Sequence, residues 1–267
     1  MKIGVYANAE RMENGRQTEE FAEFLQKNGY DSQIVSAPIS GENCKIDVLF
    51  VLGGDGTILR CAETCARNGV KIVGVNFGTL GFLTEFEKNE IQSIPRFLKQ
   101  IEENKTAEIK RFLLKISYGE KEFYALNEAA LRRDYSVKDG RMLKAEITVN
   151  GYEFDTFSGD GALVCTPTGS TAYSLSAGGP IISPQASALL FTPLCAFSLA
   201  ARSVVFPSSD KLCVTITRGG AFLLVDGKVC ANVKESEDVH AELSDLCAVF
   251  PTRSISGFYK KVRRKLS

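Results

Sequence analysis

Asp47-Val48-Leu49-Phe50-Val51-Leu52-Gly53-Gly54-Asp55-Gly56-Thr57 is the stretch on which the fold turns. Its first half is a continuous apolar run, as expected of a strand covered on both faces of a parallel sheet. The run stops at Gly53-Gly54-Asp55-Gly56-Thr57 and hands over to a helical pattern from about Ile58 to Asn68, closed by Gly69. In a parallel sheet, that order puts the turn at the carboxyl ends of the strands, where such sheets bind ligands. The glycines let the backbone approach phosphate oxygens closely, and the helix N-terminus adds N–H donors and a positive dipole end. Asp55 is the only charged group of the turn. It suits a base or a metal-associated carboxylate, and it equally suits a helix N-cap among turn glycines.

Outward from this turn the chain alternates strand and helix. Upstream lie an apolar strand, Ile3–Ala7, and a helix, Arg16–Asn28, with Phe21, Phe24 and Leu25 at helical spacing before Gly29. Downstream lie a buried strand, Lys71–Val75, and a helix, Glu90–Glu103, with Pro95 in or near its first turn. Past Arg111 the texture changes to short β-rich segments: Phe112–Tyr118, Glu122–Leu131, Lys144–Val149 and Tyr152–Phe157. Asn150-Gly151 between the last two is a two-residue hairpin signal. Further strands are predicted at Leu163–Cys165, Leu194–Leu199, Leu212–Thr217, Ala221–Val225 and Val239–Leu243. The expected fold is an α/β N-terminal domain, a parallel sheet flanked by helices, followed by a mostly-β C-terminal domain. The boundaries predicted are residues 1–111 and 112–244, with the tail 245–267 rejoining the first domain.

Composition narrows the function classes. Lys and Arg total 32, and so do Asp and Glu, so no global field favours nucleic acid or an anionic membrane. The one strongly basic run, Lys260-Lys261-Val262-Arg263-Arg264-Lys265, reads first as a solvated C-terminus. The most apolar stretch, Ala188–Ala201, is broken by Pro193 and stopped by Arg202, short of the roughly 20 apolar residues a membrane helix needs. The start of the chain reads as a strand, not a signal peptide. Eight cysteines without a CxxC pair, scattered through apolar segments, suggest free buried thiols in a reducing, cytoplasmic setting. The single histidine, His240, sits in a plain strand-like stretch and rules out multi-histidine zinc sites.

Four further segments carry chemistry. Asn76-Phe77-Gly78-Thr79-Leu80-Gly81-Phe82-Leu83 follows the next strand, and Phe82 could form a wall of a nucleotide pocket or sit in the core. Asn127-Glu128 interrupts an apolar strand, so both polar side chains need partners if buried. Asp160 and Asp226, each followed by glycine, read alone as turn residues. The run Thr166-Pro167-Thr168-Gly169-Ser170-Thr171-Ala172-Tyr173-Ser174-Leu175-Ser176-Ala177-Gly178-Gly179-Pro180 packs hydroxyls, glycines and one tyrosine without a charge. That composition suits neutral recognition of ribose, amide and phosphate groups. There is no Walker A motif and no histidine-containing kinase loop, so phosphoryl transfer here needs other machinery.

Taken together and in this order, these segments resemble the NAD kinase family over most of the chain. Gly53–Thr57 alone is shared with diacylglycerol, sphingosine and phosphofructo-kinases; Thr166–Pro180 is far more specific. The resemblance implies an enzyme that moves the γ-phosphoryl of ATP, or of polyphosphate, to the 2′-hydroxyl of the adenosine ribose of NAD, with Mg²⁺ or another divalent metal. It implies Asp55 as general base, and Gly53, Gly54, Gly56 and Thr57 as contacts of the ATP triphosphate. Asn127, Glu128, Asp160, Thr168, Thr171, Ala172, Tyr173, Ser174 and Ser176 would contact NAD, together with Asp55, Gly56 and Phe82. Arg141 would add a basic contact. Residues 1–111 would thus bind ATP and residues 112–244 NAD, in a homodimer or homotetramer.

Two positions depart from the family pattern: Ser158 stands where many relatives have arginine, and Lys228 where many have a glutamine or another hydrogen-bonding residue. The chemistry fits the resemblance. A ribose hydroxyl is a very poor acid, so a carboxylate must take its proton as the new bond forms, while the metal and backbone donors balance charge on the transferring group. Two rivals remain at this point. A lipid kinase would share Gly53–Thr57 but need an apolar acyl pocket, and a non-catalytic NAD-binding regulator would not need Asp55.

Overall fold

The computed structural model describes residues 1–8, 15–35, 45–78, 81–136 and 142–266. Cys44, Thr79, Leu80 and Arg141 lie outside them. The chain divides into two compact units, Met1–Arg111 with Leu246–Ser267, and Phe112–Asp245.

The first unit opens with β1 (Lys2–Ala7), α1 (Arg16–Lys27), β2 (Asp31–Ile34), β3 (Val48–Leu52), α2 (Asp55–Asn68), β4 (Lys71–Asn76), β5 (Thr84–Glu87) and α3 (Ile94–Glu102). β1 pairs in parallel with β2 and β3, β3 with β4, and β4 with β5. Every residue of β3 is buried, which its unbroken apolar run required. α1 buries Phe21, Ala22 and Leu25, and α3 buries Ile94, Phe97, Leu98 and Ile101, in one core with Ile3, Val5, Phe50 and Phe86. Each such large side chain contributes about 1.5–3 kcal/mol. Strand order reverses at β1, because β2 lies on one side of it and β3 on the other. The carboxyl ends of β1 and β3 are therefore the switch point of the sheet, and Gly53 leaves β3 there.

The second unit takes β6 (Ala107–Tyr118) from Phe112 on, then β7 (Lys121–Ala125), β8 (Glu128–Arg133), β9 (Leu143–Val149), β10 (Tyr152–Gly159), β11 (Gly161–Cys165), the single turn α4 (Tyr173–Ser176), β12 (Ala188–Leu194), β13 (Val204–Pro207), β14 (Lys211–Arg218), β15 (Ala221–Val225), β16 (Lys228–Val233) and β17 (Asp238–Thr252) as far as Asp245. Six strands form an antiparallel sheet in the order β13-β12-β11-β8-β15-β16. A second antiparallel run, β10-β9-β14-β17, lays Ala145, Ile147, Val214, Ile216, Val239 and Ala241 into the same core as Leu131, Val164, Phe191 and Leu223. Asn150 and Gly151, at φ 52° and 82°, make the tight β9–β10 turn.

The end of β17 belongs to the first unit, pairing in parallel with β4 at Val249 and Lys71, and α5 (Gly257–Leu266) follows. Arg253 fastens this segment. It bonds Glu85 and Glu90, the latter through Nη1 at 2.9 Å, and lies 4.4 Å from the Phe86 ring centroid. Among the described residues no helix is long and apolar enough to cross a membrane.

The structure corrects several sequence expectations. Cys61, Cys65 and Cys165 are buried, but Cys195 is exposed and Cys213, Cys230 and Cys247 are half-buried, so the thiols are not uniformly buried. α2 begins at Asp55 rather than near Ile58. The helix expected from Glu90 is a 3-10 turn, Lys88–Ser93, and the α-helix starts only at Ile94, because Pro95 cannot supply the N–H that an upstream turn would use. The expected strand Glu122–Leu131 is two strands broken at Leu126-Asn127. The strand expected at Leu194–Leu199 lies earlier, at Ala188–Leu194, with Pro193 inside it. Pairing of β12 to β13 ends at Phe191, so Pro193 removes no ladder hydrogen bond on that side. β2, β5, β13 and β16 had no sequence signal strong enough to predict them.

Candidate active site

The three glycines of the turn face two different constraints. Gly53 has φ 146°, and a Cβ there would stand 2.6 Å from Thr57 Oγ1, so its glycine is explained within the chain. Gly54 and Gly56 are different. A Cβ on either would meet no atom of the described residues within 4 Å, so nothing among them demands glycine. Both stand at the N-terminus of α2, whose cap residue Gly54 is extended and makes no side-chain cap bond. Thr57 N–H is spent on Gly54 O at 3.0 Å, but bare glycines before open space at a helix N-terminus are what close approach of an anion requires. At the end of the neighbouring strand β4, Asn76, Phe77, Gly78, Glu87 to Glu90 and Arg264 line an open cleft of about 830 Å³ that none of the turn residues lines.

Asp55 does not cap α2. Its Oδ2 accepts the N–H of Phe82 at 2.7 Å and its Oδ1 that of Leu83 at 2.9 Å, joining the turn after β3 to the segment entering β5. Gly81 makes room for this, since a Cβ there would overlap Asp55 Oδ1. Each carboxylate oxygen keeps a second lone pair. The same segment is held by its carbonyls: Lys261 Nζ, from α5, donates to Phe82 O at 3.2 Å and to Thr84 O. Burial lowers the pKa of Lys261, partly offset by Glu85 and Asp55, with Arg111 adding to the lowering. Arg111 is buried 5.2 Å from the Phe250 ring centroid; burial brings its pKa down to about 10, against the opposing pull of Asp55. One carboxylate thus acts on two cations, one buried and one half-buried. A cavity of about 30 Å³ beside Arg111 and Lys261 has room for water and none for a nucleotide. Phe82 is buried at 8% exposure between Phe258 and Lys265, inside the core rather than along an open wall.

In the second unit the bend at Leu126–Glu128 is built around Asp226. Oδ2 of Asp226 accepts the N–H of Leu126 at 2.8 Å; Oδ1 accepts those of Asn127 at 2.8 Å and Glu128 at 3.1 Å. Burial raises the Asp226 pKa to about 6, with the three N–H groups pulling the other way. Glu128, 7% exposed, is pushed up to about 8 by burial first and by Asp226 second, and its Oε2 has no hydrogen-bond partner among the described residues. An orphaned buried acceptor of this kind is the mark of a ligand site or a held proton.

The hydroxyl-rich run packs onto this bend. Thr166 N donates to Asn127 O at 2.9 Å and Thr166 Oγ1 to Leu126 O at 2.6 Å. Gly169 is needed because a Cβ would overlap the Asn127 carbonyl. Two motifs 40 residues apart are therefore one structure. Its hydroxyls divide by exposure. Ser170 bonds Pro167 O and Ile182 O, and Ser174 bonds Thr192 Oγ1 at 2.9 Å, both buried. Thr168 is buried, Thr171 and Ala172 are half-buried, and Tyr173, 38% exposed, and Ser176 face solvent. Asp160 occupies a corner between Gly159 and Gly161, half-buried, its N–H bonded to Leu194 O.

Sequence reasoning gave Arg111 no role, read Lys261 only as part of a solvated basic tail, and read Gly81 only as a turn glycine of the Asn76–Leu83 segment. Lys261 instead turns inward to the Phe82 and Thr84 carbonyls. Lys261 stands three residues after Phe258, on its helix face, which was the one available signal that this lysine turns inward.

Two family models match the chain: the ATP-NAD kinase N-terminal domain over residues 5–106 and the ATP-NAD kinase C-terminal domain over residues 126–250. An NAD kinase of Methanothermobacter thermautotrophicus is 33% identical, covering 100% of this chain and 96% of its own. An NAD kinase of Aquifex aeolicus is 35% identical over 82% of this chain and 81% of its own. Among solved structures, an NAD kinase from Archaeoglobus fulgidus in complex with ATP is 26% identical, with a TM-score of 0.77 over 98% of this chain and 99% of that one. Yeast NADH kinase complexed with NADH shares the fold, with a TM-score of 0.83 over 99% of this chain and 87% of that one, at 21% identity.

Proposed function

The chain belongs to the NAD kinase family, and from that premise we propose that it transfers the γ-phosphoryl group of ATP to the 2′-hydroxyl of the adenosine ribose of NAD, giving NADP. The observation that carries the reading is the match of both family models, in order, along nearly the whole chain. A lipid kinase would share the glycine turn without the second match.

In the first unit, Gly53, Gly54, Gly56 and Thr57 receive the triphosphate, which the open space at Gly54 and Gly56 supports. Asp55 takes the proton of the attacking hydroxyl through a lone pair not spent on Phe82 or Leu83. The donor set fits Mg²⁺ that arrives with the nucleotide, since the turn offers one carboxylate rather than a protein cage. Bound there, Mg²⁺ would supply charge neutralisation on the phosphates. Gly56 and Phe82 complete the NAD contacts of this unit, Phe82 through its backbone because its ring is buried.

In the second unit, Asn127, Glu128, Asp160, Thr168, Thr171, Ala172, Tyr173, Ser174 and Ser176 contact NAD. The orphaned Oε2 of Glu128 supports a hydroxyl ligand there. Tyr173 and Ser176 have side chains free to reach a ligand, whereas Ser174, committed to Thr192, offers its backbone. The working form is a homodimer or homotetramer in the cytoplasm, a compartment that suits the free cysteines. Incubating the protein with NAD, ATP and Mg²⁺ and assaying NADP with an NADP-specific dehydrogenase tests the activity, and polyphosphate in place of ATP tests the donor. A folded protein that binds NAD and makes no NADP from either donor would be a regulator instead.

A further inference from the structure

On the outward face of the β9-β14-β17 sheet, side chains stand in a two-by-three grid. Buried Ala145, Ile147, Leu212, Val214, Val239 and Ala241 point inward, so the alternate residues point out. Register places Thr148, Cys213 and His240 side by side on one rung, and Glu146, Thr215 and Asp238 on the next. Ligand atoms of Cys213, Asp238 and His240 all lie within 4.8 Å of one another. Three different donor types, including the only histidine of the chain, thus converge on one spot of a rigid sheet.

We propose that Cys213, Asp238 and His240 form a binding site for a thiophilic divalent metal ion, with Zn²⁺ as its best fit. Sulfur, imidazole nitrogen and carboxylate oxygen together are a zinc-type donor set; Mg²⁺ and Ca²⁺ take oxygen ligands and would not recruit the thiol. Donors around one tetrahedral zinc stand roughly 3.3–3.6 Å apart, given bonds of about 2.0–2.3 Å. The present spacing, within 4.8 Å, is wider than that, so binding must draw the three donors inward. Thr215 Oγ1 donates to Asp238 Oδ1 at 2.6 Å, so one carboxylate oxygen is oriented and the other is left for the ion. Binding releases the Cys213 proton and leaves a fourth position to water. The ion ties β14 to β17 from outside the core. Because Asp238 and His240 lie on β17 and Cys213 lies on β14, brought beside them only by register, the spacing of the sequence showed no metal motif.

The test uses the full chain freed of metal, with Co²⁺ and Zn²⁺ as probes. Co²⁺ should give a near-ultraviolet thiolate-to-metal band and d–d absorption typical of four-coordination, and Zn²⁺ should displace it and raise Tm. Cys213→Ser should abolish the thiolate band. His240→Ala and Asp238→Asn should each weaken Zn²⁺ binding more than Thr215→Val, an outer-shell change expected to cost about 10–100-fold. All four side chains lie outside the core, and thermal melts of the metal-free variants near the parent value will verify folding. A thiolate band that persists in Cys213→Ser puts the ion on another cysteine and overturns the proposal. So does Zn²⁺ affinity unchanged in His240→Ala, or the absence of Co²⁺ and Zn²⁺ binding to the parent at micromolar metal.

Discussion

In the Asp55→Asn protein the side-chain amide has to choose between two backbone donors. Today Oδ2 serves Phe82 N at 2.7 Å and Oδ1 serves Leu83 N at 2.9 Å. Asparagine keeps one oxygen, so whichever way it turns, one N–H loses its acceptor and faces an NH₂ group instead. A donor stranded in this way costs about 1–3 kcal/mol. Arg111 and Lys261 also lose the carboxylate that opposes their burial. At roughly 2–4 °C per kcal/mol for a domain of this size, Tm should fall by about 2–12 °C. The catalytic effect is separate and larger: a lost general base costs ~10²–10⁴-fold in rate, or about 3–5 kcal/mol of barrier.

Thermal melts and initial rates distinguish the two effects, with kcat taken well below both melting points so that the folded fraction is equal. Gly81→Ala supplies the second arm, because its methyl would displace Asp55 Oδ1 without removing the charge. The expected pattern is kcat down by at least about 10² in Asp55→Asn, and down by less in Gly81→Ala. Turnover within a few-fold of the parent in Asp55→Asn, accompanied by the lower Tm, would refute the base assignment and leave Asp55 as a structural clamp.

Tyr173→Ala should raise the KM for NAD far more than that for ATP at unchanged Tm, since the ring is partly exposed; Asn127→Ala should do the same with some loss of stability. Steady-state kinetics with each substrate varied in turn decides it, and a selective loss of ATP affinity would mean the pockets are assigned the wrong way round. Lys261→Met strips the donor from two carbonyls of the Phe82–Thr84 segment, so kcat should fall about 10- to 100-fold through displacement of Asp55. Lys261→Arg should recover part of that; equal loss in both variants would argue against positioning. Glu128 is held up to about 8, so the stability it contributes as a neutral acid is full below about 4.5 and lost as pH rises through about 8. Urea unfolding should therefore show Glu128→Gln losing less stability than the parent across that window, and parallel curves would refute the burial argument.

What the sequence could show depended on how far apart the interacting residues lie. The strand, glycine turn and helix at Asp47–Asn68 are adjacent in the chain, so apolar pattern and glycines sufficed to place them. The role of Asp55 was only half legible. Its neighbourhood in sequence suggested an N-cap, but its partners, Phe82 and Leu83, are 27 and 28 residues away and offer only backbone N–H groups, which any residue would supply. Asp226 was less legible still. As one half of an Asp-Gly pair it explains itself as a hairpin turn, and its φ of 45° agrees. Nothing local says that its carboxylate turns back to hold three N–H groups about 100 residues upstream.

That arrangement also accounts for the break at Asn127-Glu128, which looked like a polar interruption of one strand. The N–H groups of Leu126, Asn127 and Glu128 converge on one carboxylate, so they cannot all run in a ladder, and the strand must bend there. Thr166 and Gly169 then fit the bend because it presents bare carbonyls at Leu126 and Asn127. A single half-buried aspartate therefore sets the shape on which the Asn127-Glu128 and Thr166–Pro180 motifs both depend. Conservative replacement of Asp226 by asparagine should accordingly disturb NAD binding more than any one hydroxyl of the run, even though Asp226 is not itself placed among the ligand contacts. Measured Kd values for NAD in Asp226→Asn and Ser176→Ala, compared directly, would reverse that argument if the serine variant proved the weaker binder.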